Sequence, residues 1–295
     1  MPPTDRDPDD PSAFDASALL SRLSEAELER SVDLAPVSGA AVQAVELERA
    51  GCADPLQLVE LLHTDAVIVA QVMRLVNSAA LGLRAEVCTL ERAGVHLGVR
   101  RLAEIALTAA MAQRHAALGF LEPAQATFLW QRSLAVALCA RDAAETRDDV
   151  DPAWAYMVGL FEGLGLLWFA QRLPGRFLRR VGQLVAMGTP LELAERRVLT
   201  TSHALRGAHL LDEWGLPSIY GDALRLLDGP PRNGAAPPLA RCLRTAQGLA
   251  PRALQQLGAE PGVLAWTTSA RVYGPVSTQR IERLTAELSS ELRAA

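Results

Sequence analysis

The spacing of the apolar residues is the feature that most constrains how this chain folds. They recur three and four positions apart, as in Leu58, Leu61, Leu62 and again in Val67, Val69, Val72, Met73, Val76. This period places them on one face of an α-helix. Helix start signals such as Asp54 before Pro55 recur, and the alternation typical of strands is nearly absent. The pattern predicts an all-α protein of packed helices with no sheet.

The composition excludes several functions. Hydrophobic residues make up 49% of the chain and aromatic residues only 5%, and the excess is in Ala and Leu, which favour helices. All 29 basic residues are Arg, which rules out lysine chemistry. The net charge of −5 gives no overall attraction for nucleic acid or an anionic membrane, so neither is an expected partner.

The N-terminal residues and the cysteines indicate the cellular compartment of the protein. Residues 1–15 are acidic and rich in Pro, unlike the cationic start of a signal peptide, and are predicted to form a disordered tail. No apolar run approaches 18 residues. The four cysteines form no CxxC pair, which argues against a zinc or disulfide scaffold. We therefore expect a cytoplasmic protein.

A segment that interrupts helices divides the chain near its C-terminal end. Residues 229–238 are rich in Pro and Gly and are predicted to form a linker. The helical extension that follows, residues 239–295, ends in a helix over 278–293 with apolar residues at helical spacing: Ile281, Leu284, Leu288, Leu292. This helix is expected to dock either on the body of the protein or on another chain.

Two adjoining motifs resemble the signature of the HDOD family. Residues 74–79 read RLVNSA and residues 89–102 read TLERAGVHLGVRRL, against the family's RLxNSA and SLxxAIxxLGxxRL. The resemblance extends over about 34–228 and implies a two-lobed helical domain over 16–228. It consists of an N-terminal lobe over about 16–120 and an HD-like helical bundle over about 121–228.

Asn77, Ser78 and Gly98 are the positions that carry this signature here. Asn77 and Ser78 end an amphipathic helix, where short polar side chains can bond freed backbone groups. That structural role is the main interpretation, and a contact site is the alternative. His96, near the end of the next helix, is expected to complement the helix dipole rather than to bind a metal.

HDOD domains resemble degenerate relatives of HD metal phosphohydrolases, and the resemblance indicates which metal-ligand positions have changed. Glu162 and Gly163 stand where the enzymes carry a His-Asp doublet, and Arg132 stands where an earlier helix often carries a His. His203 is retained and is expected to cap a helix or to bond within the core. The remaining residues cannot surround a cation. We therefore expect no catalytic residue, no metal and no cofactor.

Glu162 is the only carboxylate in the apolar run over 159–170, GLFEGLGLLWFA. An ionised carboxylate buried without a partner would cost several kcal/mol. We predict that Arg132 pairs with Glu162 and holds two helices in register. The alternative is that Glu162 reaches water at the boundary between the lobes.

A basic run follows this segment and provides a candidate binding patch: Arg172, Arg176, Arg179 and Arg180. Guanidinium groups could bind a nucleotide, a nucleic acid or an acidic protein surface. The alternative is an ordinary solvated helix face.

The resemblance and the missing ligands together favour a non-catalytic signalling and regulatory module of bacteria, a pseudoenzyme that acts through protein–protein contacts. Its expected partners are other signalling proteins, and a homo-oligomer is compatible with the sequence. Two alternatives remain open: a metal-dependent phosphohydrolase of nucleotides or cyclic dinucleotides, and a regulator that binds nucleotide or nucleic acid.

Overall fold

The computed structural model describes residues 38–51, 54–77, 87–116, 123–172, 175–189, 191–199, 201–228, 236–259 and 277–294. Throughout these ranges the secondary structure consists of α-helices and one short 3₁₀ turn, with no strand. The all-α prediction is confirmed. The predicted tail over 1–15 and most of the predicted linker lie outside the described residues.

The N-terminal helices are α1 (Gly39–Arg49), α2 (Pro55–Leu62), α3 (Ala66–Val76) and α4 (Leu90–Ala116). Local capping explains where two of them begin. The Asp54 side chain accepts a hydrogen bond from the Leu56 backbone amide at 3.0 Å. The Asp65 side chain likewise accepts hydrogen bonds from the backbone amides of Val67 and Ile68 in the first turn of α3.

Gly98 breaks α4 with a φ of 76°, a left-handed conformation that favours glycine. The sequence predicts two helices here, over 90–97 and 99–116, and Gly98 separates them as this prediction requires. His96, just before the break, is exposed.

Asn77 closes the C-terminal end of α3 through its side chain. Its Nδ2 donates to the carbonyl oxygens of Met73 at 3.0 Å and Val87 at 2.8 Å. Its Oδ1 accepts from the Val87 amide at 2.7 Å. Asn77 therefore has the structural role that its position predicts. Its bonds to Val87 join the end of α3 to the residues just before α4. Ser78 lies outside the described residues.

The helices of the second half are α5 (Pro123–Glu145), α6 (Pro152–Glu162), α7 (Leu164–Arg172), α8 (Gly175–Ala186), α9 (Leu191–Leu199), α10 (His203–Glu213) and α11 (Ser218–Arg225). The sequence predicts one helix over 152–171, and this is wrong in detail because α6 ends at Glu162 and α7 begins at Leu164. Gly163 lies at the break. Residues 152–171 are long and apolar enough to cross a membrane, but 89% of the most apolar window is buried inside the protein.

Two glycines allow backbones to approach each other beside the candidate site. A Cβ at Gly159 of α6 would lie 2.5 Å from the Ala137 Cα of α5. A Cβ at Gly165 of α7 would lie 1.9 Å from the His203 carbonyl oxygen of α10. Since real Cβ atoms do not approach backbone atoms so closely, both positions require glycine.

The C-terminal extension contains α12 (Pro238–Gln256) and α13 (Thr278–Ala294). Helix α12 packs along α5 and α6, and α13 packs on α5 and α12. Of the two outcomes expected for the last helix, docking on the body is therefore the one observed.

Candidate functional site

Glu162, the last residue of α6, is fully buried and ion-paired with Arg132 of α5. Arg132 donates through both terminal nitrogens: Nη1 to Oε2, and Nη2 to Oε1 at 2.9 Å. Such a two-point contact fixes the guanidinium plane against the carboxylate. The pair predicted from the sequence is confirmed, and the alternative that Glu162 reaches water is wrong.

His203, the first residue of α10, connects Glu162 to a second carboxylate. Its Nε2 lies 3.3 Å from Glu162 Oε1, and its Nδ1 lies 2.7 Å from an oxygen of Glu195 on α9. Glu195 also accepts from the His203 backbone amide at 3.0 Å. Both residues are 0% exposed. His203 is therefore bonded within the core, while Ser202 caps α10.

Gln247 of α12 completes the cluster by donating its Nε2 to Glu162 Oε1 at 3.0 Å. The C-terminal extension thus contributes directly to the site. We refer to Arg132, Glu162, His203, Glu195 and Gln247 as the buried charge network.

Glu162 and His203 stabilise each other's charges, whereas at Glu195 burial outweighs His203 and raises the pKa of the carboxyl. Burial opposes ionisation of Glu162, but Arg132 and then His203 outweigh burial and hold its pKa well below the usual range. Burial also opposes a charge on His203, yet Glu195 and Glu162 raise its pKa to about 10. His203 is therefore protonated at neutral pH and donates from both ring nitrogens.

Ser133 fills the space beside Gly163. A Cβ at Gly163 would lie 2.4 Å from Ser133 Oγ, so any side chain at this position would require the Ser133 hydroxyl to rotate away. Ser133 Oγ lies 3.4 Å from Nε2 of His115, whose Nδ1 lies 2.8 Å from the Met111 carbonyl oxygen. Burial lowers the pKa of His115 to about 4, so its imidazole is neutral.

The donor atoms here do not fit a divalent cation. Both Glu162 oxygens and both His203 nitrogens already have protein partners, and Arg132 holds a positive charge directly against the Glu162 carboxylate. Among the described residues, no group of three or more His, Cys, Asp or Glu could hold a metal ion.

Sequence reasoning missed Glu195 and Gln247, although a signal for each exists. Glu195 shares the apolar face of α9 with Leu191, Ala194 and Val198. Gln247 similarly lies four residues after Leu243 and three before Ala250. A polar residue at a core-facing helical position indicates a buried partner.

The candidate binding patch remains a prediction. The side chains of Arg172, Arg176 and Arg179 lie outside the described residues. Arg180 donates to Gln183 on its own helix at 3.0 Å.

A model of the HDOD domain matches residues 34–228, which is more than half of the chain. The chain belongs to the HDOD family. No curated protein matches the sequence.

Several solved structures share the fold of this HDOD protein. An HDOD domain protein of unknown function from Geobacter sulfurreducens has a TM-score of 0.64 at 19% identity, over 95% of this chain and 90% of its own. The "Putative phosphohydrolase" from Shewanella amazonensis SB2B has a TM-score of 0.63 at 21% identity, over 94% and 97%. The "Putative signal transduction protein" from Marinobacter aquaeolei VT8 has a TM-score of 0.62 at 22% identity, over 88% and 56%. At these identities the likeness establishes the fold.

Proposed function

We propose that this HDOD protein is a non-catalytic regulatory module of bacterial signalling that acts through contacts with other proteins. The observation that supports this most is the Arg132 guanidinium bonded to the buried Glu162 carboxylate. Hydrolysis by a metal would need converging ligands and an open position for water. In this protein the Glu162 carboxylate is instead bonded to a cation of the protein itself.

The proposal accounts for the extent of burial around the site. Glu162, His203 and Glu195 are each 0% exposed, and Gln247 adds a contact from α12. A substrate could reach these groups only if several packed helices separated. Binding on the surface requires no such change.

The phosphohydrolase alternative is tested with the full-length chain. We expect that, after incubation with Mn²⁺, Fe²⁺ or Zn²⁺ and dialysis, elemental analysis finds far less than one ion per chain. Bis(p-nitrophenyl) phosphate and cyclic dinucleotides should not be hydrolysed above the rate of the metal alone. One tightly held ion per chain, with turnover that Glu162→Gln abolishes, would overturn the proposal.

The claim that the protein acts by binding other proteins is tested by reconstituting such a complex from purified components. Proteins crosslinked to the tagged chain in its own bacterium are purified and mixed with it at micromolar concentration. We expect sedimentation to show a complex between the chain and at least one of these proteins, formed without any change in the Arg132–Glu162 pair. If every purified candidate fails to bind, the proposal fails even where no hydrolysis is found.

A further inference from the structure

Helix α13 occupies a groove between α5 and α12, which we call the α13 groove. Its apolar contacts are Ile281, Leu284 and Leu288, which are 7%, 1% and 1% exposed. These residues are three and four positions apart, the spacing of an amphipathic helix held in a groove. The groove is therefore shaped to receive one helical face.

The ion pairs along the α13 groove fix the orientation of the helix that lies in it. At its acidic end, Asp142 of α5 accepts from Arg280 Nε at 2.6 Å and from Arg283. At its basic end, Arg141 pairs with Glu287, and Arg101 of α4 donates to Glu291 at 3.1 Å. A helix with basic residues near its N-terminus and acidic residues near its C-terminus fits in one orientation only.

The polar floor of this groove is itself built into the core. Asp142 and Glu104 are 4% and 6% exposed. Glu104 accepts from Arg101 at 2.7 Å, and the Arg141 guanidinium lies over the Tyr156 ring at 5.1 Å from its centroid. Glu104 and Arg141 are thus held by the body of the protein, whereas the partners of Asp142 lie on α13.

Helix α13 is held far less extensively than α12. Helix α12 buries residues from Leu239 to Leu254, whereas the buried residues of α13 are the three apolar anchors. Arg283 remains 58% exposed in its pair with Asp142. The other ion pairs of α13 are more buried, with Asp142 at 5% and Arg141 at 14% exposure, so a helix that displaces α13 must supply charges in the same order to replace them.

We propose that the α13 groove is the docking site for an amphipathic helix of a partner protein, and that α13 occupies it as a tethered competitor. The partner helix carries basic residues near its N-terminus, apolar residues at a spacing of three and four, and acidic residues near its C-terminus. This inference rests on the proposed function and names the kind of partner that function requires.

The test uses the full-length chain with a protease site inserted within 260–276. The probe is a fluorescent peptide with the sequence of residues 278–294. Before cleavage the tethered α13 competes at an effective concentration on the order of mM. After cleavage and dilution, α13 dissociates and the peptide should bind at least about tenfold more tightly by fluorescence anisotropy. Binding should weaken as salt rises.

Two controls define the groove. A peptide with the charges exchanged, so that Arg280 and Arg283 become Glu and Glu287 and Glu291 become Arg, should bind at least about tenfold more weakly. The uncut variant Leu284→Asp/Leu288→Asp should bind the natural peptide as the cleaved chain does. The uncut Glu282→Gln variant, changed at an exposed position of α13, should behave like the uncut parent.

The contrary outcomes are distinct. Equal binding before and after cleavage, or equal binding of both peptides, overturns the proposal. Reversible dimers of the uncut chain that the Leu284→Asp/Leu288→Asp variant abolishes would assign the groove to a second copy instead. None of these results depends on metal content or turnover, so failure of the proposed function is detected separately.

Discussion

At the scale of single residues, Glu162 keeps its charge in the core because three side chains donate hydrogen bonds to it: Arg132, His203 and Gln247. Removing a charge from water costs several kcal/mol, and only close partners offset that cost. Removing any one of these partners should therefore lower the free energy of unfolding by more than the intact network contributes to it.

Arg132→Met should destabilise the protein by about 3–5 kcal/mol, because it leaves Glu162 buried without its main partner. Urea unfolding followed by circular dichroism measures the change. Arg100→Met is the matched control, since Arg100 is 58% exposed in its pair with Glu48. It should cost at most about 1 kcal/mol. Equal effects of the two substitutions would show that the Arg132 pair contributes no more than a surface contact.

The free energy of unfolding should fall as the pH rises from about 7 to about 10. The pKa of His203 is about 10 in the folded protein, above its ordinary value of 6.5. The folded state therefore holds more protons in this window, and the stability from His203 is lost as the pH rises through the folded pKa. Chemical unfolding at several pH values measures the slope.

The matched variant for this measurement is His203→Gln/Glu195→Gln, which removes both members of the pair. Its stability should change less with pH between 7 and 10 than that of the parent. Parallel slopes for the two proteins would mean that His203 does not hold its proton in the folded state.

At the scale of helices, the approach of α7 to α10 depends on the absence of a side chain at Gly165. Gly165→Ala places a Cβ against the His203 carbonyl oxygen, so the helices must move apart. We expect a loss of about 3 kcal/mol, at the upper end for overpacking, with a lower Tm. Gly39→Ala is the control, because a Cβ there meets no atom within 4 Å. An unchanged Tm for Gly165→Ala would contradict the described packing.

The end of α3 provides a second test at this scale. Asn77→Ala removes hydrogen bonds to Met73 and Val87 and should cost about 1–3 kcal/mol. Asn77→Asp places a carboxylate oxygen against the Met73 and Val87 carbonyl oxygens at the C-terminus of a helix, so its cost should be at least that of Asn77→Ala. The measurement is again urea unfolding. A stable Asn77→Ala protein would instead favour the contact-site interpretation of this motif.

Much of this level of structure could be predicted from the sequence, because its causes are local. Capping by Asp54, the break at Gly98 and the apolar faces of the helices depend on neighbouring residues. The end of α6 at Glu162 was not predicted, although Gly163, a residue type that weakens helices, lies at the break. The partner of Gln247, Glu162, lies 85 residues away in the sequence, so their contact could not be predicted, whereas Glu195 was missed although His203 follows only 8 residues later.

At the scale of the whole molecule, the HDOD match ends at residue 228, but the core does not. Helix α12 covers α5 and α6 and bonds to Glu162. A chain that ends at residue 228 should therefore bind a hydrophobic dye and aggregate more than one that ends at residue 259. Light scattering and dye fluorescence test this. A monomeric 1–228 chain that unfolds cooperatively would show that α12 is dispensable.

The Arg132–Glu162 pair also has a consequence for sequence variation. An apolar residue at position 132 would leave Glu162 without its main cation, and an apolar residue at position 162 would leave the Arg132 guanidinium buried without a carboxylate. Either change alone gives a less stable protein. Substitutions at these two positions are therefore expected to occur together, so that each residue restricts what the other can become.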